Sequence, residues 1–529
     1  MAWSAPRYVV PPAPYGTDHA RVTIVGGGLV GLTMALDLAR RGIASVVLDD
    51  DNTVSVGSRA ICFAKRTLEI FSRLGLGKQM LAKGITWRQG RVFFHDREVF
   101  AFDLLPEEGH EHPAFINLQQ YYAEAWLVEA CAATGLVDLR WKHRAAGTVP
   151  REDGATLTVM APDATYRLDT DWLLACDGAR STIRRALNLP FTGQVFQDRF
   201  LIADVTMQAG FPTERRFWFD PPFHPGQSVL LHKQPDDLWR IDFQLGWDAD
   251  PELESRPDRV YPRVRAMLGP DVAFNLEWIS VYTFRCRRLE RFVHGRTIFV
   301  GDSAHQVSPF GARGGNGGVQ DADNLGWKLA AVLNGQAPEA LIASYDAERL
   351  PAADENILHS TRATDFITPK SPAARAYRDA VLELAEHFAF ARPLVNSGRL
   401  SRPAVLMDSP LNAPDDVTGG AAPGTAAPDA PVLCDGEPDW LLRHIAGFCL
   451  LVFSSPRPLD LPLGVTPLFI ADAPIRGALE DHTGLVRARF GVTPGMAVLM
   501  RPDQHVAARL RAPEGALVAA ALARAMGHG

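Results

Sequence analysis

Cysteine is scarce in this chain: six residues in 529, from Cys62 to Cys449, with no CxxC pair. That excludes a disulfide framework and dithiol redox work, and no His-Cys spacing suits zinc, so no metal is expected. Scattered thiols predict a reduced compartment, the cytoplasm. Long apolar runs are missing as well. The longest, Val22 to Leu36, has fifteen residues, four of them glycine, and is too short to span a bilayer. Lys and Arg number 54 against 61 Asp and Glu, a net charge of −7, and no basic cluster forms. Neither nucleic acid nor membrane is an expected partner. The first twenty residues lack the basic start and apolar run of a secretory signal and carry Pro6, Pro11, Pro12 and Pro14. They predict an extended surface arm.

What is present is apolar enough, at 47% hydrophobic, to bury the cores of several domains. No repeat recurs at solenoid periods. Val22 to Val25 is a β-branched run that enters Gly26-Gly27-Gly28, and Leu29, Leu32, Leu36 and Ala39 then recur at helical spacing up to Gly42. A second β run, Ser45 to Leu48, completes a βαβ unit of Rossmann type. Between about 190 and 285 the pattern changes, and Arg216 to Phe219, Val229 to His232 and Trp239 to Phe243 read as strands of a separate sheet. Helical patterning dominates from about Asp321 to Ala391. The Pro/Gly/Ala-rich stretch Gly419 to Pro431 then reads as a linker into a last small domain. That domain has candidate strands at Phe448 to Phe453, Thr466 to Ile470 and Ala497 to Met500, and a helix from about Glu514 to Met526.

Gly26-Gly27-Gly28-Leu29-Val30-Gly31 fits G-x-G-x-x-G between a strand and a helix, the context in which the motif acquires meaning. Gly26 permits the turn, Gly28 admits a pyrophosphate to the backbone, and Gly31 lets helix and strand approach. The helix N-terminus offers free N–H groups to phosphate. Asp49, eighteen residues beyond Gly31, is placed to accept hydrogen bonds from a ribose, a role Asp50 or Asp51 could fill instead. One such motif indicates a dinucleotide without choosing between FAD and NAD.

Two further strand ends follow. Leu173 to Cys176 runs into Asp177-Gly178-Ala179-Arg180-Ser181, and Thr297 to Val300 into Gly301-Asp302-Ser303-Ala304-His305. With these three motifs in order over roughly residues 21 to 390, the chain resembles the group A flavoprotein aromatic hydroxylases, the family of para-hydroxybenzoate and phenol hydroxylases. It is most similar to the branch containing hydroxyphenylpropionate hydroxylases. The resemblance implies FAD held by Gly26, Gly28, Leu29, Val30, Gly31, Asp49 or Asp50, Gly178 and Gly301. Asp302 is expected on the ribityl chain, Asp177 where flavin and nicotinamide are handled, and Arg59 (in Ser58-Arg59-Ala60) and Gln120 against FAD, with Gln119 as the alternative to Gln120. Pro309 to Asn316 stands at the family's flavin-ring loop. It reads Gly-Ala-Arg-Gly where many members have Gly-Gln-Gly, and Pro309, Gly314, Gly315 and Asn316 are its expected contacts. A helix beginning near Gly317 to Asp321 would turn its positive end toward the flavin edge that becomes negative on reduction. Arg313 reads either as part of that loop or as a solvated surface group.

The fold class expected is α/β: a Rossmann-type FAD-binding domain with an inserted substrate-side β-sheet, a helical connection and a C-terminal thioredoxin-like domain without CxxC. The expected partition is an arm (1–20), the first part of the FAD domain (21–190), the sheet domain (191–285), the FAD-domain return and helices (286–395), a linker region (396–431) and the C-terminal domain (432–529). The thioredoxin-like reading rests on Leu499 to Ala507, with packing or homodimer formation as that domain's role. By resemblance the activity is FAD-dependent hydroxylation of a small aromatic substrate, phenolic in type, with O2 and NADH or NADPH, through a C4a-hydroperoxide. No second G-x-G-x-x-G indicates a dedicated NAD(P)H domain. Trp218, Phe223, His224, His232, Gln234 and Tyr282 are the pocket candidates, with His224 the expected base for a phenol whose own pKa is about 10. Oxidative dehalogenation and a flavin-binding redox sensor are the rival readings.

Overall fold

The computed structural model of the protein describes residues 4–57, 59–395 and 400–528. The first three residues of the expected arm, Ser58 of the Ser58-Arg59-Ala60 run, and the first four residues of the 396–431 linker region lie outside the described residues. The fold is mixed α/β.

The β-branched run at Val22 is buried in the strand Thr17–Val25, at the centre of a parallel arrangement. Ser45–Asp49 and Thr165–Ala175 flank it, with Val137–Trp141 beyond the first and Thr297–Phe299 beyond the second. The register sets Val25 beside both Leu48 and Ala175, and Ala175 beside Phe299. The chain therefore leaves three strands at one level, and the turns at Gly26, Asp177 and Gly301 emerge along one edge of the sheet. In open α/β sheets that carboxyl edge is where ligands bind.

The helix Leu29–Arg40 is buried along nearly its whole length, because the long helix Gly314–Leu333 crosses it closely. At Gly326 a Cβ would fall 2.0 Å from Asp37 Oδ2, and Asp37 is itself tied to Arg41 at 2.9 Å, so only glycine fits. The long helix starts earlier than its sequence pattern indicates. Gly314, Gly315, Gly317 and Gly318 make its first turns look like a loop, and tertiary bonds from Asn316 hold them helical. Ala343–Ile367 and Pro372–His387 continue the helical connection.

A second sheet of eight strands contains Arg215–Phe219, Ser228–Lys233 and Leu238–Leu245, close to the expected runs. It reaches beyond 191–285. Phe274–Arg288 runs through the upper limit, and the hairpin of Gln89–Phe94 with Arg97–Asp103 joins it by parallel pairing onto Arg215–Phe219. Pairing across so long a sequence separation leaves no local signal. Alternation gives the sheet two faces. Leu201, Val205, Leu231 and Ile241 pack outward on Val260 and Val264 of the helix Pro257–Leu268, while Phe200, Phe219, Leu230 and Phe284 pack inward against Phe310 and Ile367.

Two expectations need correcting. The arm is shorter than 1–20, since the first strand begins at Thr17, and it is pinned: Tyr8 stacks on Trp141 at 4.7 Å and Ala13 N–H donates to Asp163 at 3.0 Å. The stretch Gly419 to Pro431 is not a free linker. Ala421, Gly424 and Ala427 donate to the carbonyls of Arg489, Val506 and Gln504 at 2.8 to 2.9 Å. Its small residues reflect close packing, for a Cβ on Gly420 would lie 2.2 Å from the Gly491 nitrogen and one on Gly424 2.3 Å from the Leu406 carbonyl.

The C-terminal strands Phe448–Val452, Val465–Ala471 and Ala497–Met500 fall where expected, followed by Val506–Leu510 and the helix Gly515–Ala525. A buried ionic network joins this sheet to the rest. Arg501 grips Glu348 through two bonds of 2.5 and 3.1 Å and Asp503 at 3.0 Å, while Lys328 and Asn324 of the long helix each reach Glu348 at 2.6 Å. Arg66 donates to the Asp503 carbonyl at 2.6 Å and to Gln504 at 3.3 Å. Burial opposes ionisation of Glu348, yet Arg501 and Lys328 hold it charged, and burial pulls Lys328 down to about 8. Removing one partner of such a pair strands a buried charge. Arg501→Met is therefore expected to lower unfolding free energy by about 3–5 kcal/mol in urea titrations. Arg511→Met, whose pair with Asp416 is exposed, is expected to change it little. Equal effects from the two would show that the network contributes nothing special.

Candidate active site

The first glycine turn is shaped by contacts that exclude side chains. Gly26 has φ +106, and a Cβ on it would lie 2.5 Å from the Cys176 carbonyl. At Gly31 the same atom would come within 1.9 Å of the Gly26 carbonyl. Gly28 is different: its nearest neighbour would be Glu124 Oε1 at 3.6 Å, so that position is open toward the cleft. The helix beginning at Leu29 points its N-terminus into this space, where pyrophosphate charge is favoured.

Asp49 closes the turn from the second strand, accepting from Gly27 N–H at 2.6 Å and Asp51 N–H at 2.8 Å. Burial pushes its carboxyl up to about 6 against those two bonds. Asp50 is exposed and Asp51 is paired with Lys142 at 2.9 Å, so of the three only Asp49 faces the turn.

Glu124 is the residue the sequence reading passed over. Its fully buried carboxylate accepts from Leu29 N–H (3.1 Å), Ser55 N–H (2.6 Å), Ser55 Oγ (2.8 Å) and Gln120 Nε2 (2.7 Å). Gln120 in turn accepts from Ala60 N–H at 3.1 Å. One carboxylate thus fixes the glycine-turn helix, the Ser55 loop and the Arg59–Ala60 segment together. The signal was the i, i+4 spacing of Gln120 and Glu124 on the helix Gln120–Thr134. Gln119 points elsewhere, donating to the Pro235 carbonyl at 3.2 Å.

At the second turn Asp177 Oδ2 accepts from Thr182 and Ile183 N–H groups at 2.6 and 3.1 Å, Oδ1 is buried without a partner, and Gly178 has φ +68. Burial raises the Asp177 pKa. At the third, Gly301 has φ +67 and its Cβ would touch Val30 at 3.1 Å. Asp302 reaches solvent at this strand end, yet enough protein surrounds it that burial raises its pKa, against the positive fields of His305 and Arg59. Arg184 clamps the second and third turns, donating to Ser303 O at 2.7 Å and Ala179 O at 2.8 Å. Beneath them Asp321 accepts from His305 and Arg349, both at 2.7 Å, and from Gly301 N–H at 3.1 Å. Burial opposes its ionisation, but His305 and Arg349 hold the Asp321 carboxyl at about 2.

The loop from Pro309 bends over this edge. Ala312 N–H closes a turn on the Pro309 carbonyl at 3.0 Å, and Pro309 itself is exposed. A Cβ on Gly315 would lie 3.2 Å from Ala60 and 3.5 Å from Leu29, so the loop touches both the Arg59–Ala60 segment and the glycine-turn helix; Gly314 opens the long helix beside it. The side chain of Asn316 is wholly committed to the protein: it accepts from Ala64 N–H and Thr67 Oγ1 and donates to the Cys62 and Ala312 carbonyls, at 2.5 to 2.9 Å. Any contact it offers a cofactor is through backbone. Arg313 is buried, not solvated, and folds onto the Phe310 carbonyl at 3.1 Å.

On the substrate side the expected residues separate. Tyr282 lies on the inner face, in the cluster of Phe200, Phe284 and Phe310, and His232 is buried on that face. His224 does not join them. With Trp218 and Phe223 it belongs to the outer face, where it packs 5.3 Å from the Phe243 ring, its Nε2 bonded to the Gln244 carbonyl at 2.7 Å. It lines a surface cavity of about 340 Å³ with Trp247, Glu254 and Arg263, on the far side of the sheet from Pro309. The sequence could not reveal this, because the Pro221–Pro225 loop can return to either face.

Three turns built for close backbone approach, two carboxylates facing them, and a helix N-terminus suit an adenine dinucleotide with a flavin. Comparison with known proteins agrees. The FAD binding domain family matches residues 19–360. The chain belongs to that family. It is 32% identical to 6-methylpretetramide 4-monooxygenase of Streptomyces rimosus, over 94% of this chain and 92% of the relative. It is 26% identical to 3-(3-hydroxy-phenyl)propionate/3-hydroxycinnamic acid hydroxylase of Mycolicibacterium smegmatis, over 93% and 91%. The fold is shared with the flavin-dependent monooxygenase PieE, solved with FAD and substrate, at a TM-score of 0.83, 22% identity and coverage of 98% and 100%. The protein is an FAD-dependent monooxygenase of the aromatic hydroxylase type. Among the described residues no helix is long and apolar enough to cross a membrane.

Two variants separate ligand approach from packing. Gly28→Val is expected to fold with a near-native melting temperature yet lose flavin absorbance, whereas Gly31→Ala should lower the melting temperature as well, because its methyl has no room. Retention of full FAD by Gly28→Val would remove that loop from the cofactor site.

Asp49 also sets a pH dependence. Above about 6 it is ionised and accepts; below, protonation removes the charge. FAD retention on gel filtration should therefore fall as pH drops through about 6, and Asp49→Asn should abolish that step. A variant with the wild-type profile would assign the step to another group.

Proposed function

We propose that the protein hydroxylates a phenolic aromatic compound, consuming NADH or NADPH and O2, with FAD held by Gly26, Gly28, Leu29, Val30, Gly31, Asp49, Gly178, Gly301 and Asp302. Arg59, Gln120 and Asp177 complete that set. The observation that carries this reading is the placement of the Pro309–Gly315 loop. One side of it meets Ala60 and Leu29 of the dinucleotide cleft, and its Phe310 packs among Phe200, Phe284 and Tyr282 on the inner face of the second sheet. A flavin held by the three turns would thus have its ring end at the boundary between the cleft and an aromatic wall.

FAD supplies the redox and oxygen chemistry when bound, and the chain's own residues position, exclude water and stabilise charge. The first-turn N–H groups of the helix Gly314–Leu333 have no intrahelical acceptors and are suited to negative charge at the flavin ring. Buried Phe310 and its neighbours keep water from the reacting face. The two named relatives act on a methylpretetramide and on hydroxyphenylpropionate or hydroxycinnamic acid, so we take the substrate here to be a phenol on one ring or on fused rings. NAD(P)H is read as a transient visitor. Substrate gating of flavin reduction is a conformational step in this reading.

We assign the C-terminal domain a thioredoxin-like arrangement on its strand order. Val465–Ala471 lies parallel to Phe448–Val452, followed on the other side by antiparallel Ala497–Met500 and Val506–Leu510. It has no dithiol pair, and burial pushes the Cys449 thiol up to about 12, so its role is packing or dimerisation.

Phenolic compounds should raise NAD(P)H oxidation above the basal rate, and labelled O2 should place one oxygen atom in the product. Failure of every phenol, single-ring and fused, would overturn the reading. His224→Ala should leave product formed per NAD(P)H unchanged, since His224 sits behind the sheet. A rise in H2O2 release in that variant would return His224 to the mechanism.

A further inference from the structure

The proline-rich arm ahead of the first strand is pinned at one end of the dinucleotide cleft. Pro6, Pro11, Pro12 and Pro14 restrict its backbone to extended conformations, so fixing it in place forfeits little conformational entropy. Alternation turns Tyr8 toward the protein and leaves Val9 87% exposed. Tyr8 is held from two sides. Its N–H donates to the Asn52 carbonyl at 2.9 Å, and Asn52 Nδ2 returns a bond to the Tyr8 carbonyl at 3.1 Å. Its ring stacks on Trp141 with centroids 4.7 Å apart and planes at 15°. On either side of it, Arg7 donates to Asn52 Oδ1 at 3.2 Å, and buried His143 donates from Nε2 to the Pro11 carbonyl at 3.0 Å.

Which end this is follows from the order of the strand ends. Along the carboxyl edge of the parallel sheet the chain turns off at Gly301, at Asp177, at Gly26, beyond Asp49 and beyond Trp141, in that spatial order. With the flavin ring at the Pro309–Gly315 loop and the pyrophosphate at the Gly26–Gly31 turn, the adenosine half extends along this row toward Asp49, Asn52 and Trp141. Tyr8 stands there. Asp49 and Trp141 are paired in register, and both lie against the glycine turn: a Cβ on Gly27 would fall 3.2 Å from Asp49 Cβ and 3.3 Å from the Trp141 ring. Burial pushes the Tyr8 phenol up to about 12, and Glu129 and Glu124 push it the same way. Tyr8 is therefore also close to the helix Gln120–Thr134, whose Glu124 holds Leu29 and Ser55.

We propose that the arm from Arg7 to Ala13 is part of the cofactor site and closes its adenosine end, with Tyr8 as the residue that retains the adenosine half of FAD. This rests on the placement of the pyrophosphate at the glycine turn, and it adds to the site a segment outside the three strand-end motifs. Tyr8 is a positioning residue. Its ring keeps Trp141 against Gly27 and shields that end of the cleft from water, a task for which a rigid aromatic surface is suited. Linkage is reciprocal, so an arm that retains FAD is itself held down by FAD.

The test follows FAD release from the loaded protein by the recovery of free-flavin fluorescence after dilution, so it needs no turnover. Tyr8→Ala is expected to release FAD about three- to tenfold faster than wild type, while Tyr8→Phe, which keeps the ring, stays within about twofold. Tyr15→Ala, at a fully exposed ring of the same arm, should release at the wild-type rate. Hydrogen exchange on the full chain stripped of flavin supplies the reciprocal measurement, with ADP as a probe of the adenosine half and FMN as a probe of the flavin half. The Tyr8 and Ala13 amides, which donate to the Asn52 carbonyl and to Asp163, should exchange more slowly with ADP present and at an unchanged rate with FMN. Unchanged or slower FAD release from Tyr8→Ala would overturn the proposal, and so would arm amides indifferent to ADP, since a merely structural arm gives that result. Should Gly28→Val lose FAD while Tyr8→Ala keeps the wild-type release rate, the arm falls and the glycine-turn reading stands. Should Gly28→Val keep full FAD while Tyr8→Ala releases it faster and ADP slows the arm, the glycine-turn reading falls alone.

Discussion

Three turns more than a hundred residues apart in sequence can share one cleft only because Val25, Ala175 and Phe299 are held at the same level of a parallel sheet. Displacing any one strand along its neighbour would carry its turn out of the edge by the strand rise of about 3.3 Å per residue. The interaction that prevents this is local and steric. Gly31 rests on the Gly26 carbonyl, Gly26 on the Cys176 carbonyl, and the Val30 side chain against Gly301 and Gly318, so each turn is located by close contact at a glycine. The cofactor geometry is thus a packing property of glycines before any polar group is considered.

Buried charge then fixes what packing has assembled. Asp321 draws Gly301, His305 and Arg349 to one point, Glu124 draws in the glycine-turn helix and Ser55, and Arg184 bridges the second and third turns. The Asp321 and Glu124 carboxylates each accept three or more bonds, as burial in a low dielectric demands. The described residues hold further buried polar atoms without a partner, and those near the cleft and the second sheet include Asp177 Oδ1, His232 Nδ1 and the amide of Gln234. They lie at the turns or on the inner face, where the chain leaves hydrogen-bonding capacity for something other than itself.

How much of this was legible in the sequence depended on the range of the interaction. The motif glycines, Asp49 and Asp302 announce themselves because a strand, a turn and a helix follow one another within a dozen residues. The strands around Trp218, Leu230 and Ile241 were legible through alternation. The hairpin at Gln89–Asp103 was not, since its place depends on parallel pairing with Arg215–Phe219, far along the chain. Nor was the outward position of His224, because histidine type and a proline-rich loop say nothing about which side of a sheet the loop covers. Asn316 was read as a cofactor contact from its motif, while its side chain serves Ala64, Thr67, Cys62 and Ala312. Motif membership marks the position, and only the contacts reveal which atoms are still available.

The helix Gly314–Leu333 joins these levels. Its first turn lies against Ala60 and Leu29 at the cofactor cleft, its Asp321 holds the third strand-end turn, and its Asn324 and Lys328 bind the Glu348, Arg501 and Asp503 network of the C-terminal domain. The helix is anchored at both regions, and parting the buried ion pair at its far end would strand a charge. The C-terminal strands are thereby tied, through Arg501 and Asp503, to the helix whose first turns lie against Ala60 and Leu29.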